Sequence, residues 1–193
     1  MNVAIIKYNS GNIRSVAFAL ERLGINPIIT DDINEIKASD KIIFPGVGEA
    51  SSAMKHLKEK NLVQAIKDLK QPVFGICLGM QLMCNFSEEG NTDCLGIFKQ
   101  NVKKFSNGLK VPQIGWNNIN TLKTQLFENV GEDAYTYFVH SYYVEPGKET
   151  IASTDYGIKY SSSLHKNNFY AVQFHPEKSG VVGQKILKNF LAL

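Results

Sequence analysis

The stretch Phe74-Gly75-Ile76-Cys77-Leu78-Gly79-Met80-Gln81 decides the fold of this chain. It continues a short apolar run, Pro72-Val73-Phe74, of the kind a buried parallel strand shows, and it leads into the helix-compatible segment Met80-Gln81-Leu82-Met83-Cys84. Strand, sharp turn bearing a nucleophile, then helix is a nucleophile elbow: the side chain stands on a strained turn beside backbone N–H groups able to bind an oxyanion. Gly75 and Gly79 suit that geometry because, without Cβ, they let strand and helix approach closely. Cys77 falls at the start of the helix, where the positive end of the dipole favours a thiolate. The other reading of position 77 is a buried structural cysteine, since free cysteine is among the residues most often found in cores.

Toward the N-terminus, strands alternate with helices. Val3 to Lys7 reads as a strand, Tyr8-Asn9-Ser10-Gly11-Asn12 as a polar turn, and Ile13, Val16, Ala17, Leu20 and Leu23 recur at helical spacing up to a stop at Gly24. Asn26 to Thr30 is a second strand. After a short segment led by Asp31-Asp32, Lys41-Ile42-Ile43-Phe44 is a third, closed by Pro45-Gly46-Val47-Gly48. Ala50 to Lys58 and Leu62 to Leu69 read as helices before the strand that delivers Cys77. Such alternation predicts βαβ units and an open, mainly parallel sheet flanked by helices, an α/β fold of flavodoxin-like type. Active sites in such sheets lie at the carboxyl ends of the strands, where Gly46–Gly48 and Cys77 both fall.

Toward the C-terminus the pattern changes. Short apolar segments appear at Val102–Phe105, Tyr135–Val139, Ile151–Thr154 and Phe169–Phe174, with Asn167-Asn168 as a hairpin turn. This predicts an antiparallel extension, closed by a helix whose apolar stripe is Val182, Ile186, Leu187, Phe190 and Leu191. With no repeat or linker, residues 1–193 read as one domain.

Composition excludes several classes of function. A formal net charge of +3 is too small and scattered for nucleic-acid binding. The N-terminal apolar run reaches Lys7 too soon for a signal peptide, and no apolar run approaches the length of a membrane span. Cys77, Cys84 and Cys94 match neither a disulfide framework nor a zinc-ligand pattern, so a reducing cytoplasm is expected, with no metal and no cofactor.

Four histidines could serve a cysteine nucleophile. His56 lies in a lysine-bearing helix and reads as a surface residue, and His165 reads as part of an exposed turn. His140 ends the strand Phe138-Val139-His140-Ser141-Tyr142, where a satisfied, partly buried ring is the simpler account. His175 ends Tyr170-Ala171-Val172-Gln173-Phe174, is followed by Pro176, and has Glu177 two residues on. A thiol needs a base for its proton and an imidazole needs a carboxylate to fix its tautomer, so His-Pro-Glu offers both within reach. A strand end with a solvated acid remains the alternative for that triplet alone.

Together, Gly75-x-Cys77-x-Gly79-x-Gln81 and the distant Phe174-His175-Pro176-Glu177 resemble the triad-type (class I) glutamine amidotransferases. That family has an open α/β sheet and hydrolyses glutamine to glutamate and ammonia, and the resemblance assigns the triad to Cys77, His175 and Glu177. The pattern Gly11-Asn12-Ile13-Arg14-Ser15-Val16, Pro45-Gly46-Val47-Gly48, Gly115-Trp116-Asn117 and Phe138-Val139-His140-Ser141-Tyr142 is similar to one subfamily, the glutaminase subunits of imidazole glycerol phosphate synthases. Lys7-Tyr8-Asn9 and Gln113-Ile114 depart from that subfamily's usual residues, away from the triad.

The resemblance implies acyl transfer through a Cys77 thioester, with the oxyanion held by the N–H of Leu78 and an N–H of the segment carrying Val47 and Gly48. It implies L-glutamine contacts at Gly48, Gln81, Glu89, Ser141 and Tyr142. Glu89 also reads as a solvated residue of Ser87-Glu88-Glu89-Gly90. The partner implied is a (β/α)₈-barrel cyclase that receives ammonia. Trp116, in what reads as a polar loop, is expected to anchor that interface, with Tyr137 and Asn12 as weaker candidates. Competing readings are an ammonia-supplying paralogue serving another synthase, such as one amidating a surface sugar, a cysteine hydrolase on a related sheet, and a scaffold with a dead site.

Overall fold

The computed structural model describes residues 1–8, 12–105 and 108–193. Asn9, Ser10 and Gly11 of the predicted first turn lie outside the described residues. In chain order the first half comprises β1 (Val3–Ile6), α1 (Ile13–Glu21), β2 (Ile28–Thr30), α2 (Ile33–Ala38), β3 (Lys41–Phe44), α3 (Ala50–Glu59), α4 (Leu62–Lys67), β4 (Val73–Ile76) and α5 (Leu78–Met83). The second half begins with β5 (Phe86–Ser87), β6 (Thr92–Asp93), β7 (Asn101–Lys104), β8 (Gln113–Ile119), β9 (Ala134–His140) and β10 (Tyr142–Val144). It ends with β11 (Thr150–Asp155), β12 (Lys159–Lys166), β13 (Phe169–Val172), a 3-10 turn at Pro176–Lys178 and α6 (Gly180–Ala192).

The main sheet runs β2-β1-β3-β4-β13-β12-β10-β7-β5-β6, with β11 paired to β12. From β2 through β4 all pairings are parallel. The four residues of β1, of β3 and of β4 are buried throughout, as expected where both faces of a sheet are covered. Alternation along β1 shows the covering directly. Val3 and Ile5 face one core with Leu20 of α1 and Phe190 of α6, whereas Ala4 and Ile6 face a second core with Ile36, Met54 and Leu62 of α2, α3 and α4.

Three expectations need correcting, those for the last strand, for the residues around Trp116 and for His165, and one segment with no expected element gains one. The last strand is not part of the antiparallel extension: β13 pairs parallel with β4, and only its other edge, against β12, is antiparallel. The segment after Asp31-Asp32 is a helix, because the Asp32 carboxylate accepts from the N–H groups of Asn34 and Glu35 at 2.7 and 3.3 Å. The residues around Trp116 form strand β8, paired with β9 in a separate two-stranded ribbon, rather than a loop. The polar Asn117-Asn118 hides a strand that carries little burial of its own. The Asn167-Asn168 turn does join β12 to β13, with Asn167 in the left-handed region at φ 55°. His165 is the penultimate residue of β12, with its ring stacked on Tyr170 at 4.1 Å, on a strand rather than in a turn.

Candidate active site

Two neighbouring parallel strands deliver the nucleophile and the base to the same sheet edge. Ile76 of β4 is paired with Val172 of β13, and the next amide, that of Cys77, donates to the Val172 carbonyl at 2.8 Å. Cys77 then turns at φ 53°, ψ −109°, a conformation L-residues rarely adopt, and α5 begins at Leu78. This is the elbow expected from the sequence. Gly79 makes it possible: a Cβ there would lie 1.8 Å from the Phe44 carbonyl oxygen, so strand β3 and the elbow meet only because that atom is absent.

From Val172 the chain runs three residues on to His175. Its amide donates to the Tyr137 carbonyl at 2.9 Å, and its carbonyl accepts from the Ser179 hydroxyl at 2.6 Å. The Ser179 oxygen in turn accepts from the Tyr137 amide at 3.0 Å, so β9 and the base are laced together. Nδ1 of His175 lies 2.8 Å from Glu177 Oε1, and the two side chains are 3% and 0% exposed. Burial alone disfavours the charged ring. The Cys77 thiolate beside it and the hydrogen-bonded Glu177 carboxylate outweigh that burial and push His175 up to about 10. The raised value keeps a proton on the ring, the group that must later give one away.

His140 differs. Its Nδ1 faces the Tyr142 carbonyl at 2.7 Å, which fixes Nδ1 as the donor, and Tyr160 lies 3.3 Å from Nε2. Burial, against the pull of the Tyr142 carbonyl and with the nearby His175, lowers it to about 4. A neutral, doubly engaged ring is structural. His56 is half-buried on α3.

A cavity of about 310 Å³ opens over Cys77 and His175, the size of a small-molecule site. Gly48, Gln81, Glu89, Ser141 and Tyr142, the residues expected to hold substrate, all line it. Glu89 is not a freely solvated acid. Burial pushes its carboxyl up, and the Ala50 amide at the start of α3 donates to it at 2.9 Å. Gln81 is 4% exposed, and its Nε2 donates to the Tyr142 carbonyl at 3.0 Å and to Gln173 Oε1 at 2.9 Å, which leaves Oε1 as the atom it offers a ligand.

The expected oxyanion donors are not aligned in this conformer. The Leu78 N–H donates to the Gly46 carbonyl at 3.3 Å, so the Gly46–Val47 peptide turns its oxygen, not its N–H, toward the elbow. Gly48 sits at φ 121° with open space around the position of a Cβ, so the segment has room to turn.

The residues expected at an interface divide. Trp116 is 55% exposed on β8, its ring set edge-on to Tyr137 of β9 at 5.9 Å, with Lys178 Nζ 6.0 Å from the Tyr137 ring. Ile114 and Tyr135 are exposed on the same ribbon. Asn12 instead turns its amide onto Glu177, Nδ2 donating to Oε1 at 2.7 Å. That contact, and the placement of Gln173 against the nucleophile, were missed from sequence. The one available signal was a glutamine in an otherwise apolar stretch, immediately after β13. Among the described residues, no group of three or more His, Cys, Asp or Glu could hold a metal ion, and no helix is long and apolar enough to cross a membrane.

The family profile "Glutamine amidotransferase class-I" matches residues 4–193. The "Imidazole glycerol phosphate synthase subunit HisH" of Bacteroides fragilis is 60% identical over 196 residues, spanning 100% of both chains. The protein of the same name from Haemophilus influenzae is 47% identical over 193 residues, covering 99% of this chain and 97% of its own. A solved structure described as a glutamine amidotransferase superposes with a TM-score of 0.78 at 19% identity, over 100% of this chain and 98% of the other, a likeness of fold.

Proposed function

The chain belongs to the class-I glutamine amidotransferases, and we propose that within that family it is the glutaminase subunit of an imidazole glycerol phosphate synthase. The observation that carries the chemistry is the convergence of Cys77, His175 and Glu177 at the ends of paired strands β4 and β13. The names of the full-length relatives support the place in histidine biosynthesis.

In this reading the Cys77 sulfur attacks the side-chain amide carbon of glutamine. The negative charge passes to the carbonyl oxygen, which the Leu78 N–H and an N–H of the Val47–Gly48 segment receive once the Gly46–Val47 peptide has turned. The His175 ring gives its proton to the amide nitrogen, the C–N bond breaks and ammonia leaves a glutamyl thioester. Water then loses a proton to His175 and attacks the thioester, and glutamate departs with Cys77 restored. Glu177 holds the ring in one tautomer throughout. Glu89 and Gln81 Oε1 suit the α-ammonium of the substrate.

The partner in this reading is a (β/α)₈-barrel cyclase that accepts the ammonia, docked on the β8–β9 ribbon around Trp116. The ribbon is tied to the base through Tyr137, whose carbonyl and amide engage His175 and Ser179. Docking therefore bears on the backbone of the triad. The Leu78–Gly46 contact supports a resting state with its oxyanion donor occupied. Glutamate release tests the reading. The isolated chain is expected to be slower by about 10²–10³ than the chain with cyclase and its nucleotide ligand, the range lost with one oxyanion donor. Full activity of the isolated chain contradicts it.

A further inference from the structure

We propose that Gln173 acts directly on the nucleophile, as the last link of a buried relay of amides that runs from the Tyr142 carbonyl through Gln81 to the sulfur of Cys77. The argument begins at the end that admits no ambiguity. A backbone carbonyl only accepts, so the Gln81 atom 3.0 Å from Tyr142 O is the nitrogen. The same Gln81 nitrogen lies 2.9 Å from the Gln173 side chain, which must therefore present its oxygen. The remaining end of Gln173 is then its NH₂ group, and that group faces Cys77 Sγ at 3.6 Å. Amide orientations are usually a matter of assignment; here a carbonyl two links away fixes them.

Gln173 has no exposed surface, and its own backbone N–H is held by the Ser162 carbonyl at 2.9 Å. The donor therefore approaches the sulfur from the protein interior, on an atom that water does not reach. A hydrogen bond to an ionised acceptor is worth roughly twice a neutral one, and more where the surroundings are apolar. When the sulfur ionises, two groups hold its charge: His175 supplies the countercharge and Gln173 a fixed dipole. The relay also joins the sulfur to Gln81 and Tyr142 of the substrate cavity, so the group that carries the charge and the groups that receive glutamine share one rigid frame. The inference rests on the glutaminase reading for its role in turnover, but not for its effect on the sulfur.

Alkylation of Cys77 by iodoacetamide, followed against pH with peptide mapping to exclude Cys84 and Cys94, tests it without glutamine or partner. Gln173→Glu keeps an oxygen toward Gln81 and places another against the sulfur. Gln173→Met fills the volume with no donor. The expected result is a rate at pH 7 lower by about tenfold or more in Gln173→Glu, with the profile moved to higher pH, and a smaller change of the same sign in Gln173→Met. In the complex, kcat for glutamate release falls while KM for glutamine stays within about twofold. Parental alkylation profiles in both variants overturn the proposal, whatever happens to melting temperature. In the parent chain, the Gln173 side-chain amide proton resonance is expected to move when Cys77 is alkylated, and an unmoved resonance overturns the proposal even if neither variant folds. Glutamate release by the parent complex reports separately on the glutaminase assignment.

Discussion

The side-chain amide of Asn12 donates to Oε1 of Glu177 at 2.7 Å, joining the start of α1 to the acid that orients His175. The other carboxylate oxygen, Oε2, is buried and has no hydrogen-bond partner among the described residues. Asn12 thus shares with His175 the task of fixing Glu177, from a left-handed backbone position at φ 67° that asparagine tolerates better than most residues. Asn12→Ala is expected to lower kcat for glutamate release by roughly ten- to a hundredfold, the worth of a hydrogen bond to a charged group, with little change in KM. Asn12→Asp is expected to be worse, because it sets a second carboxylate against the first. Steady-state kinetics in the complex read both.

His140 makes stability pH-dependent. Its folded-state value is depressed to about 4 from 6.5, so below pH 6.5 the unfolded chain takes up a proton that the folded chain refuses. Its contribution is present above pH 6.5 and is lost as pH falls toward 4, in total roughly 3 kcal/mol. His175, raised by its partners, acts in the opposite sense: its contribution is present below 6.5 and lost as pH rises toward 10. Urea unfolding of the parent and His140→Gln isolates His140, since His175 and Tyr160 are common to both. The parent's advantage is expected to shrink on going from pH 7 to pH 4, and a constant difference contradicts the assignment.

Gly79→Ala is expected to destabilise the chain by about 3 kcal/mol, at the upper end for overpacking, because the added methyl meets backbone rather than a movable side chain. The elbow and β3 must separate, so activity is expected to fall together with stability. Chemical denaturation with a parallel glutaminase assay checks both, and an unchanged midpoint contradicts the packing argument.

Trp116→Ala separates docking from folding. The indole is 55% exposed and packs edge-on to Tyr137, so the melting midpoint is expected to move little. Affinity for the cyclase, measured by titration calorimetry, is expected to fall about thirtyfold, as for an aromatic hot spot. Undiminished affinity removes the ribbon from the interface.

Much of this site was legible in the chain, for physical reasons. Cys77 stands out because an elbow needs glycines at fixed offsets, and His175 because only it combines a strand end with a carboxylate two residues away. Burial on both faces made β1, β3 and β4 continuous apolar runs that local reading catches. Strand β8 escaped because Asn117 and Asn118 face no core and leave no alternation to read. The parallel placement of β13 escaped because a strand's neighbours are set by topology, not by its own residues. Asn12 and Gln173 escaped for the same reason: each acts across more than ninety residues of chain, on groups that only the fold brings near.

The most direct test of the central claim is glutamate release by the Cys77→Ala chain assembled with a cyclase and its nucleotide ligand. Without the sulfur no thioester can form, and the rate is expected to fall by at least about 10⁴-fold, as when a nucleophile is removed from a catalytic triad. A Cys77→Ala complex that releases glutamate within tenfold of the parent contradicts the account.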